Sequence, residues 1–279
     1  MRKPLAHDRA ARSPSSEAGF SLLELLISSL VSVFVVGGVL TMLVSLQDVH
    51  RDTQELIDAQ QMARLSLEQI SRDVQLAGVG LAWLLPPFPL VVPRADGGID
   101  IRHNQGGITA MLAADMGGPN DALMVDSAVG FEAGQQIGVY DAMGAMDLVD
   151  IISVDLGANR ILHSGATKAY LVADGTAVAR VETISYLIQN VGGVPTLMRQ
   201  EGNMAAQPIA SRVQTLTFTY WDDATPSVVF TPVGAVDQLR IRMVEMDLVI
   251  QTENIRLNTL QRRTSSLSTR VTPRAIVLS

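Results

Sequence analysis

Hydrophobic and polar positions change period twice along the chain. From Leu25 to Leu46 no residue carries a formal charge, and leucine and valine dominate. At ~1.5 Å rise per residue, a helix of that length crosses a hydrocarbon layer of ~30 Å. Just beyond it, Leu56, Ala59, Ala63, Leu67, Ile70 and Val74 recur three or four positions apart, with Asp52, Glu55, Asp58, Glu68 and Arg72 off that stripe. This spacing predicts that the helix continues as an amphipathic rod packed on a sheet. Gly78 and Gly80 supply the stop signal, and Pro86, Pro87 and Pro89 forbid continuation. Gly37-Gly38 weakens the first half by roughly 1 kcal/mol per glycine relative to alanine. A flexible joint and close helix–helix contact both account for that pair.

Past residue 90 the pattern becomes that of strands. Asp96-Gly97-Gly98 separates two short extended runs, as a hairpin turn does. Residues 120–172 are short apolar runs broken by Gly, Asn and Asp, which reads as a meander or a small barrel-like insertion. Gly192-Gly193 predicts a second hairpin, and Leu216, Phe218 and Tyr220 alternate on one face of a strand. In "QLRIRMVEMDLVIQ", Leu239, Ile241 and Met243 share one phase, whereas Val244, Met246, Leu248 and Ile250 take the other. A phase switch within one strand predicts a β-bulge. The fold class is therefore α+β: one long N-terminal helix, hydrophobic in its first half and amphipathic in its second, packed on a β-rich C-terminal head.

Charge and composition narrow the function. The net charge is −7 over 279 residues, which argues against a nucleic-acid surface. Arg2, Lys3, Arg9 and Arg12 outweigh Asp8 and Glu17 in the first 19 positions, so the start is basic and the remainder acidic. That asymmetry fits a short positive segment retained in the cytoplasm while the rest leaves. There is no cysteine, hence no disulfide or thiol nucleophile, and His7, His50, His103 and His163 have no metal-site spacing. Neither a hydrolase, a nucleotide-binding nor a zinc-protease motif is present. Asp141, Asp147, Asp150 and Asp155 could supply oxygen ligands for calcium, but lack the loop pattern that organises them, and read as exposed carboxylates at loops and strand ends. Arg256, Arg262, Arg263, Arg270 and Arg274 make a basic tail without an acid, read as a solvated loop and last strand or as a docking surface for an acidic neighbour. The expectation is a non-enzyme with no cofactor and no metal.

Glu24 is the anomaly, a carboxylate at the head of the uncharged run. A cleaved secretory signal would have an apolar core of only ~7–15 residues followed by a small-x-small site, and Gln47-Asp48-Val49-His50 is no such site. A plain signal-anchor fits the length but gives Glu24 no task beyond reaching the interface. Cleavage before the run, between Gly19 and Phe20, would retain the helix and expose an α-amine on Phe20. Glu24 then lies one helical turn away, where the macrodipole favours a carboxylate. Within a bundle of such helices it needs a positive partner, because a lone charge at depth costs ~2.5–3.5 kcal/mol or more. The α-amine of a neighbouring subunit is one.

"GFSLLELLISSLVSVFVVGGVL" resembles the processing and methylation signature of type IV pilins and of the pseudopilins of type II secretion. That resemblance implies cleavage after Gly19 by a prepilin peptidase, N-methylation of Phe20, and Glu24 as the assembly residue. "LSLEQISRDVQLAG" and "ISYLIQNVGGVPTLMRQEG…VQTLTFTYWDD…VDQLRIRMVEMDLVI…VTPRAIVL" resemble PilW-type minor pilins, with weaker similarity to J-type minor pseudopilins. Major pilins usually have proline where Thr41 stands, and a C-terminal cysteine pair, so a major pilin is disfavoured. The resemblance implies a pilin-like lollipop: cytoplasmic leader 1–19, transmembrane and assembly helix 20–46, amphipathic helix 47–80, loop and hairpin 81–119, β-rich insertion 120–172 and β-sheet head 173–279. It implies a minor pilin helping to initiate or tip a pilus, with a minor pseudopilin or a non-polymerising anchored periplasmic domain as alternatives. Implied partners are other pilin subunits through the N-terminal helix, the prepilin peptidase/methyltransferase and an inner-membrane assembly platform. The implied location is the inner membrane with a periplasmic head, then an extracellular pilus or periplasmic pseudopilus.

Overall fold

The first regular element is a single helix, α1, Leu22–Leu76, followed by a β-rich region. The computed structural model of the protein describes residues 21–81, 89–222, 229–232, 234–253 and 261–273. Packing divides the chain into two units, Met1–Thr53 and Gln54–Ser279, so α1 contributes to both. In the second unit the predicted stripe is buried: Ala59, Ala63, Leu67, Ile70 and Val74 all face the core, while Leu56 is half-buried. The helix stops where predicted. Gly78 has a φ of 79° and its N–H donates to Arg102 O at 2.9 Å. Gly80 (φ 74°) passes so near the backbone of Asn104 that a Cβ would lie 2.0 Å from Asn104 O, which no side chain tolerates. Pro86 and Pro87 lie outside the described residues.

Strands β1 (Val91–Pro93) and β2 (Ile99–His103) form the predicted hairpin around Asp96-Gly97-Gly98. Asp96 Oδ1 accepts the Gly98 N–H at 3.0 Å and locks the turn. Next come β3 (Thr109–Ala114), β4 (Leu123–Val125), β5 (Gln136–Tyr140), β6 (Met146–Asp155) and β7 (Arg160–His163). Strand β8 (Ala177–Val191) is the longest and serves two structures. Its first residues, 177–181, pair with β3 on one side and β5 on the other, closing the ring β8-β3-β4-β7-β6-β5 into a six-stranded barrel. Leu112, Leu123, Phe131, Ile137, Val149 and Ile161 fill it. The barrel thus recruits β3 and β8 from either side of residues 120–172.

The remainder of β8 pairs with β2 and with β9 (Val194–Glu201), completing a sheet β1-β2-β8-β9-β10, where β10 is Gln207–Ser211. Gly192 and Gly193, both at positive φ, make the β8–β9 turn. At Arg212 (φ 60°) the chain passes directly from β10 into β11 (Val213–Asp222) and changes sheets. The second sheet has the order β12-β11-β13-β14, with β12 Val229–Phe230, β13 Ile241–Gln251 and β14 Thr264–Val271, and a short helix α2 (Gly234–Gln238) between β12 and β13. Trp221 pairs with Met243 but Asp222 with Ile241, so Arg242 is the extra residue of a bulge. This is the predicted phase switch: Ile241 is buried before it, and Val244, Met246, Leu248 and Ile250 after it. One core joins the α1 stripe to both sheets through Ile99, Tyr186, Leu197, Val244 and Met246.

Candidate functional site

Of the three residues that the sequence marks for processing and assembly, Gly19 and Phe20 lie outside the described residues. Glu24 stands in the first turn of α1. Ser21 precedes the helix, and its Oγ accepts the Leu23 N–H at 3.3 Å while its carbonyl accepts the N–H groups of Glu24 and Leu25 at 3.0 and 3.1 Å. Ser21 is therefore the N-cap and Glu24 the third helical residue, the spacing of a capping box. The sequence reading missed Ser21, although Ser-x-x-Glu before an apolar run was visible. Glu24 forms no ion pair among the described residues.

From Leu22 to Val49 every large hydrophobic side chain of α1 is exposed, Leu22 at 77% and Phe34 at 73%. A helix apolar on all sides is stable only when something apolar covers it. Three of the five hydroxyls in this run are turned inward: Ser29 donates to Leu26 O, Ser32 to Ser28 O and Thr41 to Gly37 O, at 2.7–2.9 Å. No donor in those three side chains then needs water, as an apolar medium demands. A Cβ at Gly37 or Gly38 would meet nothing within 4 Å, so no contact among the described residues requires either glycine. Among the described residues α1 is the one helix long and apolar enough to cross a membrane, by length and composition. Such a helix is compatible with a membrane anchor.

The amphipathic half is fastened to the head by a polar clamp that periodicity does not reveal. Asp73, buried one position before Val74, accepts from the Tyr186 hydroxyl at 2.6 Å and from Arg199 Nε at 2.9 Å. Tyr186 and Arg199 are directly paired across β8 and β9, so both reach the same carboxylate. Burial, then the bond to Asp73, push the Tyr186 phenol well above its usual range. Burial opposes the Arg199 charge, but Asp73 and Glu201 outweigh it and hold the guanidinium more firmly protonated than usual.

The four clustered acids of the barrel do not converge. Asp150 and Asp155 are exposed as expected, and Asp155 caps its own turn through the N–H groups of Gly157 and Ala158. Asp141 and Asp147 depart from the expectation, for both are buried. Asp147 Oδ2 accepts from the Thr167 hydroxyl and amide and from the Tyr170 hydroxyl, each at 2.9 Å. Burial works to raise the Asp141 carboxyl, but Lys168 and the Ala145 N–H prevail and hold it below its usual range. Both are internal counter-charges and acceptors that brace the barrel. Among the described residues no group of three or more His, Asp or Glu side chains is placed to hold a metal.

Of the basic tail, Arg262 donates to Glu253 O and Arg270 pairs with Glu245 while lying over the Trp221 ring, 4.9 Å from its centroid. Arg256 and Arg274 lie outside the described residues. No protein-family model and no curated protein matches the chain.

Proposed function

We propose that this protein is a non-catalytic filament subunit: a minor pilin that helps to initiate or tip a type IV pilus after its leader is removed at Gly19-Phe20. The observation that carries the reading is the sleeve of exposed apolar side chains around the first half of α1, headed by Glu24. A membrane covers such a sleeve before assembly, and neighbouring helices of the same kind cover it afterwards. Glu24 at the first turn is then placed to meet the α-amine of an adjacent subunit, and Gly37-Gly38 offers a smooth surface where two helices approach. A minor pseudopilin of a type II secretion system uses the same chemistry and is a variant of this reading.

One observation favours a second reading. Glu24 stands in the first turn of α1, where the macrodipole favours a carboxylate, and a membrane-anchored periplasmic domain that never polymerises needs nothing more. Intact-mass analysis of the protein extracted from membranes separates the two. Assembly requires a chain beginning at Phe20 with a methylated amine. A chain that keeps residues 1–19, or one cut after Leu46, contradicts it.

A further inference from the structure

The sheets have four outer strands among the described residues, β1 and β10 in one and β12 and β14 in the other. An exposed edge is a template for another chain, and proteins normally block it with brevity, proline or a bulge. Strand β1 has three residues and ends in Pro93; β12 has two residues. Strand β10 contains Pro208 and a register shift beside it. Strand β14 has none of these. It runs for eight residues, TSSLSTRV, without proline, and holds an unbroken register with β13 from Val244↔Val271 to Gln251↔Thr264.

The side of β14 facing away from β13 can be assigned. The Thr252 N–H donates to Arg263 O at 2.8 Å, so 252 and 263 form a hydrogen-bonded pair. Alternation along an antiparallel ladder then directs the backbone groups of residues 265, 267, 269 and 271 toward β13. Those of Ser266, Ser268 and Arg270 face outward. A groove runs beside this strand against α1, lined by Arg64, Leu67, Glu68, Arg72, Leu267 and Arg270. Its lining charges are paired except one: Glu68 is paired to Arg64 at 2.9 Å, Arg270 is paired to Glu245 at 3.0 Å on the sheet face opposite α1, and Arg72 forms no ion pair among the described residues.

We propose that β14 is a docking edge for an extended, carboxylate-bearing segment of another protein, which adds as a further strand and sets a row of acidic side chains on the α1 side, against Arg72. A second copy of β14 does not suit the place. Its sequence has no acid to set against Arg72. The edge is independent of α1's apolar half, so this inference and the filament reading fail separately.

The test uses the full chain in detergent micelles and a short blocked peptide alternating valine with glutamate, with a valine–lysine peptide as control. Binding is read by fluorescence anisotropy, and amide hydrogen exchange across β14 locates it. The glutamate peptide should bind, slow exchange in β14, and exceed the lysine peptide by about tenfold or more. Ser268→Pro removes an outward N–H that β13 does not use, and should lower affinity by about tenfold or more while exchange in β13 stays protected. Arg72→Glu, on the exposed face of α1, should weaken the glutamate peptide several-fold and spare the fold. Equal binding of both peptides, unchanged exchange in β14, or wild-type affinity in both variants would overturn the proposal. So would disulfide-linked dimers of Ser268→Cys protein, which would make a second copy the occupant.

Discussion

Replacing Asp73 by alanine tests how the amphipathic half of α1 is held to the sheet. The substitution removes one carboxylate and strands two partners. The Tyr186 hydroxyl, on a side chain with no exposed surface, would lose its acceptor, a desolvation loss of about 1–3 kcal/mol. Breaking a buried ion pair from one side costs about 3–5 kcal/mol. That figure is too large here, because the Arg199 side chain is 21% exposed and retains Glu201 at 3.0 Å. The two effects together should cost about 3 kcal/mol. At about 2–4 °C per kcal/mol for a unit of this size, melting should fall by about 6–12 °C. Tyr186→Phe leaves Asp73 with Arg199 and should cost only about 1 kcal/mol. Urea unfolding in detergent, followed by tryptophan fluorescence, measures both; Trp221 lies on β11, in the sheet that shares the α1 core. An Asp73→Ala loss below about 0.5 kcal/mol, the range of ordinary surface changes, would refute the clamp. So would a Tyr186→Phe loss as large as that of Asp73→Ala.

Leu67→Asp places a charge at a core position that is 4% exposed and should destabilise the second unit by about 4 kcal/mol or more, read by the same unfolding curves. For pH, burial lowers the His163 pKa from the ordinary 6.5, the Asp121 carbonyl and Asp147 opposing it only in part. The unfolded chain therefore binds that proton first, and this contribution to stability is full above about pH 6.5 and declines as pH falls below it. Tyr170 and Tyr186 are shifted upward from 10.0 by burial, then by Asp147 and Asp73 respectively. Their contribution is full below pH 10 and is lost as pH rises beyond it, so melting curves between pH 5 and 11 should show decline at both ends.

The amphipathic stripe, the helix stop and both hairpins were legible because each is a local pattern: burial at three- and four-residue spacing, glycine at positive φ, two glycines between β-formers. The bulge at Arg242 was legible for the same reason, since one extra residue reverses the alternation on either side of it. The clamp was not. Asp73 looks like one more surface acid of α1 until Tyr186 and Arg199, more than a hundred positions later, are brought over it by the pairing of β8 with β9. Asp141 and Asp147 were misjudged as exposed for a related reason. Spacing shows that four acids are close in sequence, but Lys168, Thr167 and Tyr170, which make burial of two of them tolerable, come from the connection between β7 and β8, 20 or more positions later. Nor does any local signal show that β8 closes that barrel with its first five residues and builds the main sheet with the rest.

Glu24→Gln decides between assembly and a merely local charge at the helix start. Glutamine matches glutamate in size and helix propensity, so α1, membrane insertion and cleavage after Gly19 should persist, and only the charge is lost. The measurement is the amount of protein in sheared filaments relative to membranes, wild type against mutant, with the mature N-terminus confirmed in each. If Glu24 pairs with the α-amine of a neighbouring subunit, the ratio should fall about tenfold or more, since a partly buried pair lies between the ~1 kcal/mol of an exposed bridge and the ~3–5 kcal/mol of a buried one. An unchanged ratio, or no wild-type protein in filaments at all, would contradict a subunit assembled through this helix.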